Sequence, residues 1–374
     1  MNEHTAKLPR ATRHGAGWAL EPSSRLPLMH LPHFTTVRTL LAQLALLALL
    51  ACGSHSDPGP VSAFDAFRIV QSTDTFGDPA KATAAIFELV ARGTKFDAIV
   101  AHETTTAVAA ADACKKNGLG NVQVVCVGGQ ADGQRLVLDG VLAAIAKPPT
   151  CASAALDLAM LTSNGVTFAP EQFHFRLGAR IFTRANDTGE TVATPADILL
   201  AFTRRQHAAM LVAVAGKPPL AIGVIQLDER TSNGKARRAE LDAEVLNRPF
   251  LRLTHRSADG NSDQQAALIT QLAAQGCRAL IVADGDATLL SAACCAARKL
   301  GIKVVALHVA LPEAAADLAV LPDFVAIGRA LGRTISQSCK QGSAILELQS
   351  EATGKRASDL HAGLVQAAQI TVPK

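Results

Sequence analysis

The chain carries the same pattern twice, and that repeat limits its fold more than any other feature. From Phe67 it reads FRIVQSTDTFGDPAKATAAIFELVARGTKFDAIVAHETTTAVAAADACKKNGLGNVQVVCVGG. From Leu251 it reads LRLTHRSADGNSDQQAALITQLAAQGCRALIVADGDATLLSAACCAARKLGIKVVALHVA, and the two align with single-residue gaps. Each copy opens on a β-rich run and a polar turn containing Asp. A helix follows with apolar residues at helical spacing, Ile86, Leu89 and Val90 in one copy and Leu268, Ile269 and Leu272 in the other. Gly93 and Gly276 stop these helices. A strand (DAIVA or ALIVA), an Ala-rich helix ending near Gly118 or Gly301, and a third strand (VQVVCVG or IKVVALHV) complete each copy. Short apolar strands alternating with helices are parallel βαβ units covered on both faces. Two sets predict an α/β protein of two doubly wound parallel-sheet lobes. Such sheets bind ligands beyond the carboxyl ends of their strands. Two lobes facing one another there enclose a central cleft that closes by hinge motion.

The 374 residues, 49% of them hydrophobic, are ample for two cores. The formal charge of +4 is concentrated at the front: Lys7, Arg10, Arg13, Arg25 and Arg38 against Glu3 and Glu21 give residues 1–51 a net +3, leaving +1 for the remainder. No basic tract is left to follow a phosphate backbone. With 13 Phe, one Trp (Trp18) and no Tyr, few rings are present for bases to stack on, which disfavours nucleic acid as a partner.

Leu40 to Ala51 reads LLAQLALLALLA, too short to span a bilayer and suited to a signal-peptide core. It ends in Leu49-Leu50-Ala51-Cys52, which resembles a bacterial lipoprotein box whose cysteine is lipid-modified and becomes the first mature residue. An ordinary signal peptide cleaved nearby, with Cys52 an incidental thiol, is the alternative. Residues 1–51 are thus expected to be a leader with a signal peptide, its start at Met1 or Met29, and residues 52–63 a tether. The expected location is the periplasm or cell surface, anchored by lipid at Cys52.

Cys114, Cys126, Cys151, Cys277, Cys294, Cys295 and Cys339 show no CxxC spacing and mostly sit in apolar segments. They are expected to be small buried hydrophobes, with one bridge as the alternative. His102-Glu103 opens HETTT without a second histidine four residues on, so no zinc-protease motif forms. There is no P-loop, no GxGxxG after either strand where phosphate would sit, and no G-x-S-x-G elbow. No enzymatic activity, metal or cofactor is expected.

LAIGVIQLDERTSNG, followed by the second repeat copy, resembles the amino-terminal lobe of the type I periplasmic solute-binding proteins. These are the sugar-binding receptors of ABC importers, related to the ligand cores of lactose-repressor-type regulators. AIGRALGRTISQSCKQGSAILELQ resembles the start of the other lobe, and ASDLHAGLVQAAQ the helix after it. The remaining strands of that lobe match KFDAIVAHETTTA, VQVVCVGG and DGVLAAIAKPPT at the front of the chain. The resemblance spans nearly all of residues 64–374 in rotated order, as in a circular permutation; two independently duplicated lobes are the alternative. It implies a carboxyl-terminal-type lobe from 64–147 and 326–374, and an amino-terminal-type lobe from 148–165 and 219–310. Residues 166–218 would hold returning strands and a joining helix, and 311–325 a hinge crossing.

What the resemblance implies is a lipid-anchored, extracytoplasmic protein that captures a small polar, sugar-like solute for the permease of an ABC importer. The alternative is a module that senses a ligand or a protein and signals to a membrane receptor, with sugar recognition lost. Carried over by position, the ligand contacts fall on Asp228, Glu229, Arg230, His308, Glu103, Gln130 and Lys147, with Arg356 one turn from the family's helix arginine. The first turn holds no aromatic ring where the family stacks one on a sugar. Each residue also has a structural reading: Asp228, Glu229 and Arg230 as a solvated turn, and His308 as a hydrogen-bonded strand end. Asp284 and Asp286 read as loop and helix-capping residues. Of the Phe residues, Phe76 and Phe324 are expected near the cleft.

Overall fold

The apolar runs become strands and the periodic segments become helices, and the order in which the strands pair decides the architecture. The computed structural model describes residues 67–128, 131–211, 219–340, 342–350 and 355–368. All fall within a single compact unit. The leader, Cys52, the tether and Gln130 lie outside the described residues.

One sheet combines β1 (Arg68–Asp74), β2 (Ala98–Ala101), β3 (Gln123–Val127), β4 (Ala144–Lys147), β6 (Arg180–Thr183), β7 (Asn186–Thr191) and β13 (Ala344–Gln349). Their order is β1-β13-β2-β3-β4-β6-β7. The other combines β5 (His174–Leu177), β8 (Leu220–Gln226), β9 (Leu251–Ser257), β10 (Ala279–Ala283), β11 (Lys303–Leu307) and β12 (Leu318–Pro322), ordered β9-β8-β10-β11-β12-β5. Every pair in the second sheet is parallel. In the first, only β4–β6 and β6–β7 are antiparallel. Strands β1-β13-β2-β3-β4 therefore repeat the arrangement of β9-β8-β10-β11-β12. The place that β8 takes in its sheet belongs in the other to β13, the last strand among the described residues.

The predicted doubly wound α/β class is what the chain adopts. β2 and β10 are buried at every residue, as strands covered on both faces must be. Helices α1 (Pro79–Ala91), α2 (Thr104–Lys116) and α3 (Ala131–Leu138) serve the first sheet, and α7 (Ser232–Leu246), α8 (Ser262–Ala274) and α9 (Ala287–Lys299) the second. Asp78 accepts from the Ala80 amide at 2.8 Å and Pro79 occupies the first turn of α1, a strong start signal. Gly93 and Gly276 take φ of +68° and +80°, the left-handed stop that glycine allows without strain. α4 (Ala152–Ser163) is apolar nearly all round, because it is enclosed between the second sheet and its neighbours. The seven cysteines among the described residues are free, and five of them are buried. Burial lifts the Cys126 thiol to about 12.

Four connections join the two sheets, at residues 148–151, 178–179, 192–194 and 323. They carry the chain from β4 into α4, from β5 into β6, from β7 into α5 (Pro195–Gln206), and from β12 into α10 (Phe324–Ser338). Each leaves the carboxyl end of its strand, so those ends of both sheets border the same region. Asp197 ties two of the crossings together, its carboxylate accepting from the amides of Gly178 at 2.9 Å and Thr194 at 2.8 Å. Arg176 of β5 pairs with Asp359 of α11 (Lys355–Ala368) at 3.5 Å, a second link between the lobes.

Helices α10 and α11 pack backbone to backbone over the first sheet. A Cβ on Gly328 would fall against the Leu360 carbonyl, and one on Gly363 would stand 2.8 Å from the Arg329 amide. Glycine at a helix interior normally costs ~1 kcal/mol relative to alanine. Here the sign reverses: Gly328→Ala is expected to destabilise the protein by about 1–3 kcal/mol through overpacking, read as a lower urea midpoint.

Candidate functional site

The carboxyl ends of the strands place a distinct polar group on each side of the crossings. On the first sheet, β2 runs out at Ala101 into His102 and Glu103, where α2 begins. Glu103 stands at the start of α2 without capping it, so its carboxylate is available to other groups. Arg356 of α11 donates to the His102 carbonyl at 2.9 Å and lies 4.0 Å from Glu103. Its guanidinium also stands over the Phe324 ring at 5.4 Å, a cation–π distance. Gly77 packs onto the Glu103 carboxylate, with 2.7 Å between Oε2 and the place of a Cβ. Glu103, Arg356, Phe324 and the Phe76–Gly77 turn thus form one cluster. Phe76 is largely exposed at φ +50°, with the Lys81 ammonium over its ring at 4.3 Å.

Beneath this cluster lies a buried network. Glu347 on β13 is fully buried and accepts from Ser72 at 2.6 Å and Gln349 at 3.0 Å, while the rings of His102 and His361 meet it at 2.9 and 2.7 Å. Burial works to raise this carboxyl, but the hydrogen bonds from His102, Ser72 and His361 and the charge of His102 outweigh it and hold the group at about 2. An ionised group is therefore retained under the floor of the first sheet.

The second sheet holds the counterpart. Arg237 of α7, 1% exposed, donates to Gln226 at 3.0 Å and to both carboxylate oxygens of Asp284. Asp284 is thus the partner of a buried arginine, a correction to its reading as a simple loop residue. Asp286 caps α9 as expected, accepting from the Thr288 amide at 2.7 Å. Asp284 and His308 follow β10 and β11 at φ of +58° and +59°, a strained conformation for residues with a Cβ. The Pro149 backbone in the first crossing lies beside the ring and opposes part of the downward shift that burial imposes on it. Its Nε2 is buried without a hydrogen-bond partner among the described residues. Burial pulls His308 down to about 4, and the charge of Arg237 adds to the shift. The imidazole is neutral at pH 7.

The remaining expected contacts fall in two groups. Asp228 and Arg230 are engaged with each other, Nε and Nη2 each donating at 2.9 Å, and Arg230 also donates to the Asp259 carbonyl. The hydrogen bond from Arg230 draws Asp228 down to about 2. Glu229 pairs with Arg238 at 3.0 Å. The DER turn is therefore laced to itself and to α7. Lys147 is exposed at the end of β4, opposite Arg180 in register. Among the described residues, no three His, Cys, Asp or Glu side chains are grouped to hold a metal ion.

Sequence reasoning missed Arg237 and Glu347. Both left a trace: Arg237 falls at helical spacing between the buried Gly234 and Leu241, and Glu347 interrupts the apolar strand AILELQ. A charge on a buried face requires a partner.

Residues 235–371 match the family model described as a periplasmic binding protein domain. No curated protein matches the chain. Among solved structures, it is similar to the fructose-binding periplasmic domain of a hybrid two-component system, at 19% identity over 40% of this chain and 50% of that one (TM-score 0.31). A Caulobacter myo-inositol-binding protein bound to myo-inositol matches at 19% identity over 41% and 53% (TM-score 0.29). The chain thus spans about half the length of these two relatives. A solute-binding protein of an ABC transporter system from Conexibacter woesei matches at 11% identity over 89% and 93% (TM-score 0.41).

The low pKa of His308 sets a pH dependence. A histidine whose folded pKa lies below its unfolded value contributes stability that is complete above about 6.5 and lost as pH falls towards about 4. The wild type should lose about 3 kcal/mol from this residue between pH 7 and pH 4. His308→Asn, which tolerates the positive φ, should flatten that slope in denaturant titrations at the two pH values.

Proposed function

We propose that the chain is an extracytoplasmic solute-binding protein whose two lobes close on a small polar ligand and deliver it to a membrane permease of an ABC importer. The observation that carries this reading is the buried, unpartnered Nε2 of His308, held in a strained backbone at the carboxyl end of a parallel strand. A buried polar atom without a hydrogen-bond partner costs about 1–3 kcal/mol. A ligand hydroxyl removes that cost on binding. From the first sheet, Arg356 offers donors, Glu103 an acceptor and Phe324 a ring face. Together these groups suit a neutral ligand with several hydroxyls, sugar-like by resemblance. Lys147 and Gln130 belong to the same proposed contact set, and Asp228, Glu229 and Arg230 form its outer rim.

Cys52 is proposed as the lipid-modified first residue of the mature protein, which places the binding unit at a membrane face. The order of the chain fits a circular permutation. The match to the family model starts within α7 and runs to residue 371, whereas β1 to β4 complete the sheet of β13 from the front of the chain. A sensing role is the second reading, favoured by the self-paired Asp228–Arg230 turn where a sugar contact is expected.

A thermal-shift screen of sugars, polyols, nucleosides and acidic solutes tests the assignment. A ligand at 100 times its Kd should add about 2.7 kcal/mol of stability and raise Tm. Arg356→Ala and Glu103→Gln should each weaken that ligand about tenfold or more, as loss of a charged hydrogen bond does. No shift with any class would overturn solute binding. Labelling with a palmitate analogue in a bacterial host should tag the wild type and not Cys52→Ser; label on both would remove the anchor from Cys52.

A further inference from the structure

Helix α5 presents a second apolar stripe to solvent. Leu200 and Thr203 face the core of the second sheet, and the opposite stripe is Pro195, Ile198, Ala201, Phe202 and Arg205. Ile198 is 66% and Phe202 51% exposed, and Met210 of the following turn α6 (Ala208–Leu211) is 39% exposed. Scattered exposed apolar residues are ordinary, but a leucine-sized residue and an aromatic ring one turn apart on a helix are a patch.

Its charge is one-sided. Ile198 to Leu211 contains Arg204, Arg205 and His207 and no acidic residue. Asp197, just before it, is consumed in capping α5 and in holding the Gly178 and Thr194 amides. Arg204 is tied inward to the buried Asp157 at 2.5 Å. Arg205 is left exposed, its Nε 3.4 Å from the Ala201 carbonyl, which lays its stem along the stripe. An apolar stripe with a basic end and no acid is complementary to an anionic lipid surface. A second copy offers no counter-charge, since its stripe is equally acid-free. Three side chains also bury on the order of 500 Å², short of the ~800 Å² per partner of a stable dimer.

We propose that α5 and α6 form a membrane-docking patch that seats Ile198, Phe202 and Met210 in the headgroup region of an anionic bilayer. This rests on the tethered reading above. Fifteen residues separate Cys52 from Arg68, a reach of about 50 Å when extended. A tether of that length raises the local concentration of the patch at the bilayer, so a weak contact suffices.

The chain has one Trp and no Tyr, which makes a site-specific reporter simple. In the full chain carrying Trp18→Phe and Phe202→Trp, emission should shift to the blue by about 5 nm or more on vesicles of phosphatidylethanolamine with about 30% phosphatidylglycerol. It should stay unchanged on phosphatidylcholine vesicles. Adding Ile198→Ser and Arg205→Ser should abolish the shift while Tm is unaffected. No shift on anionic vesicles, or an equal shift on both kinds, would overturn the proposal. So would a shift that grows with protein concentration in the absence of vesicles, which would identify a second copy as the occupant. Repeating the measurement with Cys52→Ser separates the patch from the anchor: indole emission from the Phe202→Trp reporter reads the first, palmitate labelling the second.

Discussion

The chain crosses between its sheets at the carboxyl ends of parallel strands, and two of those crossings are held against each other by one carboxylate. Asp197 accepts from the amides of Gly178 and Thr194, one in the β5–β6 connection and one in the β7–α5 connection. Gly178 approaches Val192 so closely that a Cβ would collide with its carbonyl. Only glycine permits that approach. Because the crossings converge there, the polar ends of both sheets face one region, and every candidate contact derives its position from this arrangement.

Each lobe then solves the same electrostatic problem in its own way. Parallel strands buried on both faces leave little room for charge, yet Glu347 lies within β13 and Arg237 packs beneath β8 and β10. Both are held by several hydrogen bonds, three from Arg237 and four to Glu347, which makes them tolerable in a low dielectric. Glu347 secures His102, whose carbonyl anchors Arg356. Arg237 secures Asp284 beside His308. The candidate contacts therefore stand on buried ion networks, and the Nε2 of His308 is one of the buried polar atoms without a hydrogen-bond partner among the described residues.

Strands and helices were legible from periodicity. Gly93 and Gly276 marked helix ends because their backbone preferences are local. The candidate site was legible only in part. Glu103 and His308 were named from the family resemblance, and both stand at the carboxyl ends of parallel strands, β2 and β11. Asp228 and Arg230 were named as contacts, but the sequence could not say that their side chains bond one another two residues apart. Rotamers depend on what lies beside them. The exposed stripe of Ile198 and Phe202 was invisible for a similar reason: helical periodicity shows two apolar sides of α5 without saying which is covered.

By itself, then, the sequence determined the βαβ units and their duplication, since these follow from local sterics and from the need to bury apolar faces. Only the tertiary structure decided that β13 enters between β1 and β2, that Arg237 reaches Asp284, and that Asp197 joins two crossings. Contacts of this kind link residues as many as 275 positions apart, as Ser72 and Glu347 are. Their formation depends on loop closure and packing of the whole unit, which no local pattern encodes.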